Sequence, residues 1–154
     1  MPEYFQDYLN TPLGLLAITA TDQFVLGVDF VKRKNKILPN KITKLAKQEL
    51  SEYFQGTRKK FSVPIALRGT VWQSLVWQKL LSVPYANVIS YQDLAKAIGK
   101  PKAARAVGQA VNKNPIAIIV PCHRVLGSSG NLVGYAGGLD KKKNLLNLEN
   151  NDNL

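Results

Sequence analysis

The spacing of apolar residues changes character near Leu67, and that change constrains the fold more than any other feature of the chain. Before it lie short runs of strand length: Tyr4 to Leu9, a turn at Asn10-Thr11-Pro12, Leu15 to Ala20, and Phe24 to Phe30. A basic, breaker-rich segment, Lys32 to Asn40, leads into Ile42, Leu45, Ala46, Leu50 and Phe54, which recur at helical steps until Gly56. Phe61 to Ile65 reads as one more strand.

From Thr70 the pattern is mainly helical. Val71, Leu75, Val76 and Leu80 mark one face, and Pro84 closes the segment. Ser90 suits an N-cap, with Tyr91, Leu94, Ala95 and Ile98 on the helix that follows and Gly99 as its stop. A second helix is expected from Pro101 or Lys102 to about Asn112. Helix, glycine turn, helix is the helix-turn-helix pattern. The expected fold is therefore an α/β N-terminal domain, a small sheet plus a helix, over residues 1–66. A mostly α C-terminal domain with a helix-turn-helix follows over 67–154.

The chain holds one cysteine and one histidine. An intramolecular disulfide is impossible, and too few ligands remain for a structural zinc site, so no metal and no cofactor is expected. The longest apolar stretch, Ile116 to Val120, is far below the roughly 20 residues that span a bilayer. No membrane association and a cytoplasmic location are expected. Lys and Arg number 21 against 10 Asp and Glu, a net +11, which favours a polyanionic partner. The distribution sharpens this: no acid falls between Asp93 and Asp140, while Lys96, Lys100, Lys102, Arg105, Lys113 and Arg124 do. A solvated basic face is the plainer alternative.

The second helix of the pair carries Ala103, Ala104, Arg105, Ala106, Gly108 and Ala110. Side chains this small let a backbone approach another molecule closely. They are also what an ordinary packed helix uses, but the adjoining cations favour nucleic acid.

After the turn signal Asn114-Pro115 and the strand candidate Ile116 to Val120 stands Pro121-Cys122-His123-Arg124-Val125, in which the lone cysteine and lone histidine are neighbours. A lone cysteine is commonly an inert core residue. Beside a base, its small thiolate fraction at neutral pH can be raised and the thiol becomes a nucleophile. Consecutive side chains in an extended segment point apart, so contact through a bridging water is one solution. A histidine base also wants an acid to orient it. Glu149, near the end of the helical run Lys141 to Leu148, is a candidate that only tertiary folding could bring close, and an ordinary surface carboxylate is its plainer reading.

The cysteine motif, with Asn114-Pro115 before it and Gly134-Tyr135-Ala136-Gly137-Gly138-Leu139 after it, closely resembles the O6-alkylguanine-DNA alkyltransferases. Val83-Pro84-Tyr85, Ser90-Tyr91 and Arg105-Ala106-Val107-Gly108 match that family in the same order, so the resemblance spans about Gly69 to Glu149. The first 66 residues resemble the family's variable N-terminal domain in pattern and position alone.

The resemblance implies a set of roles. Cys122 is the nucleophile and alkyl acceptor, His123 the base acting through water, and Glu149 the carboxylate that orients it. Asn114 is a hinge holding the active-site segment to the recognition helix, and Tyr91 donates to the departing guanine. Arg105 fills the gap left by a flipped nucleotide, and Ala104, Ala106 and Gly108, beside Lys102, let the helix enter the minor groove. Val125, Tyr135 and Ala136 line the base pocket. The implied activity is single-turnover alkyl transfer from O6-alkylguanine in double-stranded DNA to a monomer. Ala136 and Ala117 replace a serine and a proline of some relatives, which bears on pocket shape. Three other readings compete: a non-catalytic lesion-binding protein, whose known examples carry tryptophan in place of the cysteine; a helix-turn-helix regulator; and a thiol hydrolase.

Overall fold

The computed structural model of the chain describes residues 4–151. It divides into two compact units, one ending at Leu67 and one beginning at Arg68.

In the first unit β1 (Phe5–Thr11), β2 (Gly14–Ala20) and β3 (Val25–Val31) form an antiparallel sheet in sequence order. Gly14 takes φ 135° in the tight turn that joins the first two strands, a conformation open to glycine. Alternation buries Leu16, Ile18 and Ala20, and with Val25 and Val28 these form one apolar face. α1 (Lys41–Phe54) covers the sheet and buries Ala46, Leu50 and Tyr53. Its first turn is fixed by a capping box in which Asn40 and Thr43 each accept from the other's backbone N–H. The expected strand over Phe61 to Ile65 shrinks to a single bridge between Val25 and Ile65. Glu49, buried on α1, explains why: its carboxylate accepts from the N–H groups of Ser62 and Val63 and from the Ser62 hydroxyl, so those donors are withdrawn from any ladder.

The second unit runs α2 (Val71–Leu80), β4 (Ile89–Ser90), α3 (Tyr91–Ala97), α4 (Ala104–Asn112), a 3-10 turn (Cys122–Arg124), β5 (Val125–Leu126) and α5 (Leu139–Asn151). On α2 the expected face is partly wrong. Val71 is 89% and Leu75 47% exposed, while Val76, Trp77 and Leu80 are buried. The tryptophans orient the helix: Trp72 and Trp77 donate their indole N–H groups to the carbonyls of Ala106 and Ala110 on α4, at 3.2 and 2.8 Å.

α3 begins at the expected cap, with the Ser90 hydroxyl accepting from the Asp93 N–H, and it is followed by Gly99 at φ 85°. α4 begins later than Pro101 or Lys102, because the chain first closes a turn through the Ala103 N–H and the Lys100 carbonyl. Ile116 to Val120 is not a strand. It forms a turn in which Ile118, at φ 72°, adopts a left-handed conformation unusual for a β-branched residue.

Candidate active site

Two short elements place the cysteine. β4 and β5 pair in parallel, Ile89 with Val125 and Ser90 with Leu126. That bridge ties the start of α3, where Tyr91 stands, to the end of the 3-10 turn that carries Cys122, His123 and Arg124. The segment is thus helical, not extended, and the expectation that neighbouring side chains diverge across a strand does not apply. Immediately before it, the Asn114 side chain brackets the strained turn: its Oδ1 accepts from the Ile116 N–H at 3.0 Å and its Nδ2 donates to the Val120 carbonyl at 2.8 Å. Backbone strain of this kind persists where neighbouring bonds over-determine it. Asn114 therefore joins the end of α4 to the thiol segment.

Cys122 is buried, and burial pushes its thiol above the ordinary range. Working against that are a hydrogen bond with the Asn114 side chain, the Lys142 ammonium, and the backbone N–H groups of Cys122 and His123. The sulfur at rest is a thiol, and the groups around it stabilise the anion once a base takes the proton.

His123 has no exposed surface, and its Nε2 lies 2.6 Å from Glu149 Oε2. Arg124 grips the same carboxylate with two bonds, Nε to Oε1 at 2.9 Å and Nη2 to Oε2 at 3.0 Å. It also donates through Nη1 to the Val83 carbonyl at 2.8 Å. The Ala86 N–H also donates to Oε1 at 3.1 Å. Burial would raise the Glu149 carboxyl, but His123 and Arg124 together hold it down to about 2. For His123 burial prevails, aided by the Arg124 and Lys142 charges, and the ring is held below its ordinary 6.5 despite Glu149. The physical cause is plain: Arg124 already balances the carboxylate, so a proton on the ring would add an uncompensated buried charge. The ring is then neutral, Nε2 donates to Glu149, and Nδ1 keeps its lone pair. Nδ1 is buried with no hydrogen-bond partner among the described residues, which makes it the free basic atom of the site.

Above the thiol, Tyr91 is pushed up by burial and then by Cys122, so its hydroxyl remains protonated as a donor. It bonds the Val133 carbonyl at 3.0 Å. Gly134, at φ 64°, lets the loop pass beside it: a Cβ there would lie 3.3 Å from the Tyr91 hydroxyl. Tyr135 is shifted upward by burial and by Cys122, and its hydroxyl is buried without a partner among the described residues. Ala136 is exposed beside it. Val125 has no exposed surface, so its side chain belongs to the core and its main chain is the part a ligand could meet.

Two residues of the site were not singled out from the sequence. Arg124 was counted with the basic face, yet it is buried in the Glu149 network. Lys142, with no exposed surface, donates to the carbonyls of Val133 and Gly134 at 2.8 and 3.1 Å and stands 5.7 Å over the Tyr91 ring. A signal for it exists: once Glu149 is placed inward, helical spacing puts Leu145 and Lys142 on the same face of α5. On α4, Val107, Ala110 and Val111 are buried, whereas Arg105, Ala106 and Gln109 are exposed. Lys102 is exposed in the turn before the helix, and Ala104 and Gly108 are half-buried.

A helix-turn-helix unit that also holds a buried thiol, a neutral imidazole and a clamped carboxylate combines nucleic-acid binding with nucleophilic chemistry. Residues 71–151 match the DNA binding domain of 6-O-methylguanine DNA methyltransferase, and residues 4–67 match that family's ribonuclease-like domain. The chain belongs to the 6-O-methylguanine DNA methyltransferase family. It is 42% identical to the methylated-DNA–protein-cysteine methyltransferase of Methanosarcina barkeri, over 96% of this chain and 98% of that protein. It is 51% identical to the Mycobacterium leprae protein of the same name, over 92% of this chain and 89% of that protein. The fold is similar to a Mycobacterium tuberculosis OGT crystallised with DNA, with TM-score 0.87 and 40% identity over 97% of this chain and 93% of that one. No helix among the described residues is long and apolar enough to cross a membrane.

Proposed function

We propose that this protein repairs DNA by moving the alkyl group of O6-alkylguanine to Cys122, once per chain and irreversibly. The observation that carries the reading is a buried thiol in the same 3-10 turn as a histidine whose Nε2 contacts Glu149 while its Nδ1 has no hydrogen-bond partner among the described residues. His123 takes the thiol proton through a bridging water. The sulfur attacks the alkyl carbon in line, an S–C bond forms, and the bond from that carbon to the guanine O6 breaks. Negative charge then develops on the leaving base, and the Tyr91 hydroxyl supplies the hydrogen bond or proton that lowers the barrier. A stacked base cannot reach a buried sulfur, so the nucleotide flips out and Arg105 fills the gap. The exposed small face of α4 enters the minor groove, with Lys102 and its neighbours attracting phosphates independently of sequence. Tyr135, Ala136 and the Val125 main chain border the base. The thioether product has no electrophilic carbonyl for water to attack, so there is no turnover, and a monomer suffices.

Incubation with excess duplex carrying one O6-methylguanine tests this directly. The intact mass should rise by one methylene located on Cys122, and repair should stop at one equivalent. Cys122→Ala should bind the duplex with little loss and transfer nothing. Transfer by that variant, or tight lesion binding by the native protein without a mass change, would overturn the reading; the latter outcome would identify a lesion sensor.

A further inference from the structure

Lys142 is a buried titratable group whose charge favours the Cys122 thiolate but to which the departure of the base assigns no role. Its ammonium and the Tyr91 hydroxyl converge on the same two acceptors. Lys142 Nζ reaches the Val133 and Gly134 carbonyls at 2.8 and 3.1 Å, and Tyr91 Oη reaches them at 3.0 and 3.5 Å. A tyrosine whose proton is engaged by a backbone carbonyl cannot donate to a leaving base until it lets that carbonyl go. An acceptor abandoned beneath a bound base, with water excluded, carries a penalty. We infer that Lys142 is a positioning residue that frees Tyr91: it keeps both carbonyls satisfied while the Tyr91 hydroxyl swings its proton from Val133 to the guanine ring.

The ammonium over the Tyr91 ring also opposes the negative charge that builds on the tyrosine oxygen and the base as that proton moves. The inference rests on the reading of Tyr91 as donor. No other charge of the described residues is bonded to Lys142. The titratable groups that face it are Tyr91 from α3 and Cys122 and His123 from the 3-10 turn, with Glu149 further along its own helix. Burial lowers its pKa to about 8, against the raising influence of Cys122, so its charge is lost in a range that can be assayed.

The test uses the full chain and single-turnover transfer from an O6-methylguanine duplex at saturation, for the native protein and Tyr91→Phe, Lys142→Met, the double variant and Lys142→Arg. Lys142→Met should slow transfer roughly tenfold or more, and adding it to Tyr91→Phe should bring little further loss, because both act on one proton. Lys142→Arg keeps donors and a permanent charge and should recover most of the rate. Because Lys142 also acts on the Cys122 thiolate, each rate is first divided by the thiolate fraction read from its ultraviolet absorbance at the same pH, and the ratio of the corrected Lys142→Arg rate to the corrected native rate is then followed. It should climb several-fold from neutral pH to about two units higher, because the neutral lysine amine keeps two donors but loses the charge that strengthens its bonds to the carbonyls, and the arginine keeps both. Losses that multiply in the double variant, or a ratio that stays flat with pH, would overturn the role. If Lys142→Met fails to fold, judged by thermal unfolding and duplex affinity, the corrected pH ratio decides when it is repeated on a Tyr91→Phe background, where the climb should vanish. A native protein that gains no alkyl group on Cys122 overturns the function itself, an outcome distinct from normal transfer with multiplying losses.

Discussion

Glu149 accepts from His123, Arg124 and the Ala86 N–H at once, so the site and the stability of its unit share one ionisation. Its folded pKa of about 2 lies below the ordinary 4.5. A depressed carboxylate contributes stability above its unfolded pKa and loses it as pH falls from about 4.5 toward 2. The full contribution is on the order of 3 kcal/mol. His123 acts in the same direction at higher pH, because its folded pKa lies below 6.5 and the unfolded chain binds that proton first. Thermal unfolding followed against pH should therefore show stability falling below about 6.5 and again below about 4.5. Glu149→Gln should remove the lower step and destabilise at neutral pH by about 3–5 kcal/mol, since Arg124 is left buried without its counter-charge. An unchanged acid limb in that variant would contradict the assignment. At this scale the cysteine motif pointed to Cys122 and His123, and the family resemblance added Asn114, Tyr91 and Glu149, which the structure gathers around the thiol segment. Arg124 and Lys142 were hidden because a cation in sequence reads as solvated, and only the partner's position shows otherwise.

α4 shows what a helix can and cannot disclose. Its buried stripe of Val107, Ala110 and Val111 leaves Arg105, Ala106 and Gln109 outward. Alanine and leucine are both strong helix formers, and Ala106 is exposed, so Ala106→Leu should change stability by less than about 0.5 kcal/mol. The added bulk should nonetheless hold the helix off a groove floor, and the affinity for duplex should fall roughly tenfold or more while the rate of methyl transfer at saturating duplex is retained. Equal duplex affinity in this variant would mean that the small face is merely packing composition. The presence of α3 and α4 was legible from caps and apolar spacing. The inward face of α2 was not, because aliphatic spacing left out the two indoles that bond α4. Ile116 to Val120, just before the thiol segment, reads as a strand because an apolar run of five residues carries no signal for the Asn114 bracket that folds it into a turn.

For the whole molecule the surplus of +11 overstates the cations available to a duplex. Of the six between Asp93 and Asp140, Arg124 is committed to Glu149, which leaves Lys96, Lys100, Lys102, Arg105 and Lys113 exposed. If each of these met one phosphate, the plot of log affinity against log salt would fall with a slope of roughly −4.5. Additional contacts from elsewhere would steepen it. The charges nearest the reacting atoms are enclosed, so they are screened far less than the exposed ones. Salt should accordingly weaken binding steeply and leave the rate constant for transfer at saturating duplex almost unchanged. Titrating a fluorescent duplex and timing methyl transfer across a salt series separates the two quantities. A transfer constant that fell in parallel with affinity would place the chemistry within reach of bulk ions, which the complete burial of His123 and Lys142 argues against. Lys102→Ala should flatten the affinity slope by about one contact and do so alike for damaged and undamaged duplex, because a phosphate contact carries no information about the base.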